Sequence, residues 1–194
     1  MARICFHSDD SYRSIQSGSG FTFVTAGIAL DGIKSEIERE LLKAEERSGK
    51  GDKDWHETTD VAVRLNYMER LLDLSPLVGR VFYGAYPSLQ TGEYWGARLD
   101  VLSAAIGRYT ARGRCHHEMA HEGFTGANRD KLRLELRGRG FRRVTVESAA
   151  LVTSPQIRCA DALSGYIRGQ LYDVGTLSQQ VLPDIPDWFV DLRT

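Results

Sequence analysis

The chain alternates between short apolar runs and segments in which apolar residues recur every three or four positions. The apolar runs predict strands near residues 2–8, 21–30, 79–86, 114–120 and 141–148. The helical spacing predicts helices that begin at residue 31, run through residues 61–72, 95–109 and 127–138, and begin again at residue 155. This β-β-α-α-β-α-β-α-β-α order predicts an α/β fold, a mixed sheet flanked by helices, with parallel crossovers in its second half.

No repeat or shift in composition divides the chain, so residues 1–194 are expected to form a single domain. Its core covers about residues 3–172, and a Pro-rich tail follows over residues 173–194. With 42% hydrophobic and 26% charged residues, the chain is long enough to bury a core. The apolar part of the tail, residues 181–190, is expected to pack on that core or on another copy of the chain.

Charge, cysteine content and hydropathy restrict the partners and the location. A formal net charge of -1 gives no overall attraction to nucleic acid, so such binding requires a local charge asymmetry. The 3 cysteines are widely spaced, which favours a reducing compartment over a disulfide framework. No apolar run approaches the roughly 20 residues of a membrane span, and the N-terminal segment is predicted as a strand, not a signal peptide. We therefore expect a cytoplasmic location and no membrane partner.

A single carboxylate borders the apolar stripe of the last helix. Ser154 suits the cap of this helix, Pro155 suits its first position, and Asp161 follows within two turns. A buried carboxylate is unfavourable by several kcal/mol unless a cation, a metal ion or hydrogen-bond donors compensate it. At the other end of the sequence, Asp9 and Asp10 follow the first apolar run. The fold is expected to bring these two ends together.

The two end motifs resemble the bacterial and phage domain-of-unknown-function family numbered 3800, whose fold is similar to that of RNase H. Members of that family open with a strand ending in Asp-Glu-Ser, which here is Asp9-Asp10-Ser11. They close with a strand carrying an acid and a serine, here Glu147-Ser148, and a helix of the form Ser-Pro-x-Ile/Leu-Gln-x-Ala-Asp, here residues 154–161 with Arg158 replacing glutamine. The resemblance covers about residues 3–172 and is specific at its two ends. RNase H begins with three consecutive antiparallel strands, so the two helices after the second strand are a departure.

The resemblance implies carboxylates that hold two divalent cations where the first strand meets a neighbouring strand and the last helix. One cation activates water and the other stabilises the leaving oxygen, and oxygen ligands of this kind suit Mg²⁺ or Mn²⁺. Asp9 and Asp161 are the first expected ligands, with helix or turn capping as their structural alternative. Asp10 is the weaker ligand, because strand alternation directs it to the opposite face of the sheet. A hydrogen-bonding or turn role is equally expected for it.

The middle acid of the family falls within residues 115–122. Glu118 is the preferred ligand and Glu122 the reserve, and Glu147 is a further ligand or an acid at the rim. The same segment offers a rival, because His117-Glu118-x-x-His121 matches the zinc hydrolase pattern H-E-x-x-H. That pattern requires a helix that projects both histidines toward zinc. The glycines on both sides favour a short strand, with or without a histidine-assisted magnesium site.

The segment Lys53-Asp54-Trp55-His56 loosely resembles a Lys-x-Trp element of some family members. Lys53 or His56 is a candidate for contacting the scissile phosphate or for moving a proton, because histidine titrates near neutrality. The alternative is a loop lysine and a histidine at a helix start, beside a packed tryptophan.

A basic cluster on and after the fourth predicted helix is the candidate nucleic-acid surface. Its cations outnumber its acids and would make binding depend on salt. The alternative is a solvated helix face. The cluster comprises Arg129, Lys131, Arg133, Arg137, Arg142 and Arg143.

The sequence therefore predicts a metal-dependent nuclease that hydrolyses phosphodiesters of DNA or RNA. The first alternative is a non-catalytic RNase H-like module that binds nucleic acid or a partner protein in a defence or mobile-element system. The replacement of the family's glutamate and middle aspartate leaves that alternative open. The third hypothesis is zinc hydrolysis through His117, Glu118 and His121.

Overall fold

The structure, a computed structural model, describes residues 4–15, 20–31, 34–109, 117–122, 126–141, 144–149, 154–173 and 181–193. Six strands form its sheet: β1 (Ile4–Ser14), β2 (Phe21–Asp31), β3 (Val81–Leu89), β4 (His117–Glu122), β5 (Val144–Ala149) and β6 (Val190–Asp191). The described residues include five α-helices that surround it: α1 (Lys34–Ser48), α2 (Val61–Leu72), α3 (Tyr94–Tyr109), α4 (Gly126–Gly138) and α5 (Pro155–Tyr172). A short 3-10 helix at Ser75–Leu77 precedes β3.

The sheet is mixed and open, with the strand order β5-β4-β1-β2-β3-β6. The first three strands are antiparallel neighbours, whereas β4 and β5 run parallel to β1. The predicted order of five strands and five helices is confirmed, as are the parallel crossovers of the second half. The chain is a mixed α/β single-domain fold with helices on both faces of the sheet.

Strand alternation divides the core between the two faces of the sheet. Phe6 and its β2 partner Ala29 lie in the core formed with α3 and α4. Ile28 and Leu30 lie in the core formed with α1, α2 and α5. The last helix is the central element of this second core, where Cys159 is fully buried. We call these two sides the α3–α4 face and the α5 face.

Several boundaries differ from the prediction: β2 runs through Asp31, so α1 begins at Lys34 and not at residue 31. Two further differences change the sheet. β1 continues to Ser14 because its polar second half pairs with apolar β2, from Asp9↔Ala26 to Ser14↔Phe21. Asp9 and Asp10 therefore lie inside the strand and not at its end. The second difference is β6, which the Pro-rich tail adds to the sheet beside β3.

The described tail packs on its own chain. Leu182 and Phe189 are each 7% exposed and belong to the core on the α5 face. Of the two predicted contacts for this segment, the structure thus shows the one with the core. In the part of the chain that the structure describes, no helix is both long and apolar enough to cross a membrane.

Candidate functional site

The helix that carries Asp161 begins as predicted. The Ser154 hydroxyl accepts a hydrogen bond from the backbone N–H of Ile157 at 3.3 Å, and Pro155 occupies the first turn. Asp161 lies two turns later, where its Oδ2 accepts a hydrogen bond from the backbone N–H of Trp55 at 2.7 Å. No lysine, arginine or histidine nitrogen of the described residues lies within 4.0 Å of this carboxylate. Asp161 is therefore held by one N–H and by no ion pair.

Its surroundings make the Asp161 carboxyl easier to protonate. Burial raises its pKa above the ordinary value, and the nearby Asp54 carboxylate raises it further. The Trp55 N–H and the positive charges of Lys50 and His56 act in the opposite direction. The ionised form is thus under-compensated in the absence of a bound cation.

Trp55 reaches Asp161 because Gly165 leaves room on α5. A Cβ atom at position 165 would lie 2.2 Å from Trp55 Cδ1, so any side chain there would displace the ring. Arg64 of α2 also lies over the indole, with its Cζ 4.9 Å from the ring centroid. Its Nη2 also donates to the Trp55 carbonyl at 2.9 Å. The loop with Lys53 and His56 is thereby fixed against the Asp161 helix.

A cavity of about 590 Å³ opens between this loop, the second half of β1, α2 and α5. Asp161, Trp55, His56 and Arg64 are among the residues that line it. Its lining thus combines an acid, a histidine, an aromatic ring and a cation.

Two further arginines border the cavity and share one acid. Arg13 Nη1 lies 3.0 Å from Asp173 Oδ1, and Arg168 Nη1 lies 2.8 Å from Asp173 Oδ2. Arg168 Nε also donates to the Ser11 hydroxyl at 2.8 Å. These contacts join the end of α5 to β1, and they occupy the two guanidinium groups.

Asp9 and Asp10 lie on opposite faces of the sheet, as strand alternation requires. Asp9 is 7% exposed and pairs with Ala26 on the α5 face, where its Oδ1 accepts the backbone N–H of Asp10 at 2.7 Å. Asp10 also borders the cavity, but its carboxylate accepts the Thr25 hydroxyl at 2.6 Å and forms an ion pair with Arg98 of α3. Asp10 thus has the hydrogen-bonding role that was the alternative to a ligand role.

The register of β4 separates the candidate middle acids. Glu118 pairs with Cys5, and His121 pairs with Ser8, so the next step along this parallel pair brings position 122 beside Asp9. Glu118 is four residues earlier, which is about 13 Å along a strand. The backbone therefore favours Glu122, the reserve candidate, over Glu118.

Glu147 and the zinc pattern are also judged from the backbone. Glu147 pairs with Ala120, which itself pairs with His7. Glu147 therefore lies two strands from β1, at the position of His7 and not of Asp9 along the strand.

His117–Glu122 is a strand, whereas the zinc hydrolase pattern requires a helix. The zinc hypothesis fails for this reason. Only the backbone of Glu118, Glu122 and Glu147 is described.

Lys53 and His56 both lie on the exposed side of the loop. The His56 side chain is 77% exposed, lines the cavity, and lies 3.9 Å from Asp54 through Nδ1 and Oδ2. The backbone carbonyl of Lys53 accepts a hydrogen bond from Lys50 Nζ at 2.5 Å. Asp54, His56 and Glu57 place ligand atoms within 4.8 Å of one another, but exposed groups of this kind are common without an ion.

The basic helix α4 lies on the α3–α4 face, across the sheet from the cavity. Its apolar residues Leu132 and Leu136 are buried there. Its cations are partly neutralised along the helix: Arg129 and Arg133 lie 3.9 and 3.2 Å from Asp130, and Lys131 lies 4.0 Å from Glu135. Arg137 is exposed, whereas Arg142 and Arg143 lie outside the described residues. The structure does not bring the basic cluster and Asp161 together.

A buried ion pair beneath the site was not predicted. Arg158 donates to both carboxylate oxygens of Glu45 on α1, at 2.8 and 2.7 Å. Each of the two residues is 3% exposed. Lys50 Nζ lies 3.8 Å from Glu45 and 5.0 Å from the centroid of the Tyr67 ring, and burial lowers the pKa of this lysine. Sequence pattern gives no signal for such a pair, because its partners lie on separate helices.

Asp161→Asn is expected to raise the melting temperature at neutral pH when divalent ions are removed. The folded-state pKa of Asp161 lies above its ordinary value near 3.8, so its ionisation disfavours the folded state as pH rises past that value. The increase in melting temperature should shrink toward zero as pH falls to about 4, because the Asp161 carboxyl of the wild type is then protonated in the unfolded chain as well. Thermal unfolding in a chelator between about pH 4 and pH 8 measures this. The exposed Asp187→Asn is the control, and an Asp161→Asn gain that does not vary with pH would contradict the assignment.

No protein-family model matches the chain. A search of the curated proteins finds no match either.

Proposed function

We propose that this chain is an RNase H-like, metal-dependent nuclease related to the family that its end motifs resemble. The observation that carries the proposal is the placement of two acids on the same side of the sheet. Among the described residues, Asp161 has one N–H donor and no ion pair, and it lies on the helix that packs over the sheet face carrying Asp9. Hydrolysis of a phosphodiester in DNA or RNA is the reaction that such a site would catalyse.

The order of the strands supports the RNase H-like part of this proposal. β1, β2 and β3 are consecutive antiparallel neighbours, as at the start of RNase H, although α1 and α2 intervene before β3. β4 pairs with the edge of β1 opposite β2. The helix α5 packs on the sheet face that carries Asp9. This is the junction of first strand, neighbouring strand and last helix at which the resemblance places the carboxylates.

Asp9, Asp161 and Glu122 are the proposed ligands of Mg²⁺ or Mn²⁺. Their oxygen donors suit these hard cations, and a cation would compensate the Asp161 carboxylate. When bound, such ions activate water and stabilise the leaving oxygen. Trp55 orients Asp161 through its backbone N–H, and the exposed side chain of His56 lines the same cavity.

Nucleic acid is the proposed partner and the cytoplasm the proposed location. α4 is proposed to add phosphate contacts on the α3–α4 face, where Arg129, Lys131, Arg133 and Arg137 lie on one helix. Because α4 lies across the sheet from the cavity, these contacts would strengthen binding without taking part in cleavage. Salt would then weaken binding more than it slows cleavage of bound substrate.

Cleavage of labelled DNA and RNA, single- and double-stranded, in Mg²⁺, Mn²⁺ and Zn²⁺ tests the proposal. We expect cleavage in Mg²⁺ or Mn²⁺ that is lost in Asp9→Ala, Asp161→Ala and Glu122→Ala. Glu118→Ala is the matched control on the same strand, because its register position is about 13 Å from that of Glu122. Cleavage that survives Asp161→Ala, or that requires Zn²⁺ alone, would refute the proposal.

One observation favours a second candidate, a non-catalytic nucleic-acid or protein-binding module. Asp10 occupies the place of the family's glutamate, and its carboxylate is held by Thr25 and Arg98. One acid of the family motif is thereby used in a structural contact. Salt-sensitive binding with no cleavage in any metal would favour this module over the nuclease.

A further inference from the structure

Arg64 is a cation of the cavity that forms no ion pair within 4.0 Å among the described residues. Its Nη2 donates to the Trp55 carbonyl at 2.9 Å and its guanidinium stacks on the indole. Its Nε is buried and has no hydrogen-bond partner. Arg13 and Arg168, in contrast, are both paired with Asp173.

Because no carboxylate of the described residues contacts Arg64, an anion that enters the cavity would be attracted to it. Burial lowers the pKa of Arg64, and the positive charge of Arg168 acts in the same direction, whereas the negative charge of Asp161 raises it. A bound anion would add to the effect of Asp161. The planar guanidinium fork suits the two oxygens of a phosphate group, and the contacts with the Trp55 ring and carbonyl limit where that fork can lie.

The cavity beside Arg64 has the size of a small-molecule site. Its volume of about 590 Å³ lies within the range of ligand pockets. Asp161 and His56 line the same cavity. A phosphate at Arg64 would therefore lie in the same cavity as the proposed metal ligand.

We propose that Arg64 binds a phosphate group of the substrate and that this cavity accepts a single nucleotide unit. The identity of the ligand as a nucleotide rests on the proposed nuclease function. The assignment of a phosphate group rests on the contacts of Arg64. The limit to a single nucleotide unit rests on the volume of the cavity.

Direct binding tests this assignment without requiring cleavage. Calorimetric titrations would compare a nucleoside 5′-monophosphate, the matching nucleoside and inorganic phosphate, each in a chelator and in Mg²⁺. We expect the monophosphate to bind and both of the other ligands to bind at least roughly tenfold more weakly. Arg64→Met should weaken monophosphate binding by roughly tenfold to a hundredfold. Arg64→Lys, which keeps the charge but not the fork, should fall between.

Arg70→Met is the matched control, because Arg70 lies on the same helix and contacts Asn66 at 2.7 Å, away from the cavity. The affinity of Arg70→Met for the monophosphate should equal that of the wild type. Equal affinity of the wild type and both Arg64 variants, or no monophosphate binding by the wild type, would overturn the inference. Equal binding of phosphate and monophosphate would overturn its nucleotide part.

The two proposals fail in different ways. Arg64-dependent binding by a chain that cleaves nothing would support this site and refute the nuclease. Cleavage by Arg64→Met at the wild-type rate and KM would leave the nuclease and overturn this site. Melting temperatures of both Arg64 variants separate loss of binding from loss of the Trp55 contact, and Arg64→Lys retains a cation if Arg64→Met fails to fold.

Discussion

Arg158→Ala is expected to lower the free energy of unfolding by about 3–5 kcal/mol, because it leaves the Glu45 carboxylate buried without its two hydrogen bonds. Lys50 Nζ at 3.8 Å attracts that carboxylate but is itself held by the Lys53 carbonyl. Since the pair joins α5 to α1, the loss should weaken the whole α5 face. Urea unfolding followed by circular dichroism measures the effect.

Arg47→Ala is the control for this change, because Arg47 lies exposed in the last turn of α1. It should alter stability by no more than about 0.5 kcal/mol. Replacing both members of the pair in Glu45→Gln with Arg158→Gln removes the unpaired carboxylate, but the buried Lys50 ammonium then loses its neighbouring carboxylate, so only part of the loss should be recovered. A loss below about 1 kcal/mol for Arg158→Ala would show that the pair does not hold the two helices together.

Gly165→Ala should destabilise the chain by about 1–3 kcal/mol, because the new methyl group would overlap the Trp55 ring. The ring would have to move, and the backbone N–H of Trp55 would move away from Asp161. We therefore expect a changed near-ultraviolet circular dichroism signal from tryptophan. If the proposed function holds, metal-dependent cleavage should also fall.

Gly169→Ala is the matched control, since it lies one turn further along α5 and a Cβ there would meet nothing within 4 Å. It should stabilise the helix by about 0.5–1 kcal/mol, the usual difference between glycine and alanine. Urea unfolding of the two variants, measured together, separates helix propensity from the contact with Trp55. A stabilising Gly165→Ala would mean that Trp55 does not pack on α5.

The order of strands and helices was predictable because each element has its own periodicity. The apolar run of Ile4, Cys5 and Phe6 and the helical spacing from Val61 to Leu72 are both confirmed. The length of β1 was not predictable in this way. Its polar residues are ordered by pairing with β2, and the apolar residues that extend the ladder lie on β2.

The site was predictable only in part. Asp161 and the Trp55 loop were both identified, but the hydrogen bond between them joins residues 106 positions apart, which no local pattern reveals. The choice between Glu118 and Glu122 depends on the register of a parallel strand pair, which side-chain periodicity leaves open. Arg64 lies on an amphipathic helix whose pattern does not distinguish it from other polar residues. Its contact with the Trp55 ring is visible only in the structure.

The buried thiol of Cys159 gives this chain an internal reporter of its own motions. Cys159 is fully buried on α5, two residues before Asp161, and burial raises the pKa of its thiol. A thiol in this state reacts with a soluble reagent only after the helix opens, so its labelling rate follows the opening equilibrium. Cations that bind at Asp161 would slow that reaction, because they stabilise only the closed form. Ligand binding could then be followed by cysteine chemistry, even for ligands that the chain does not turn over.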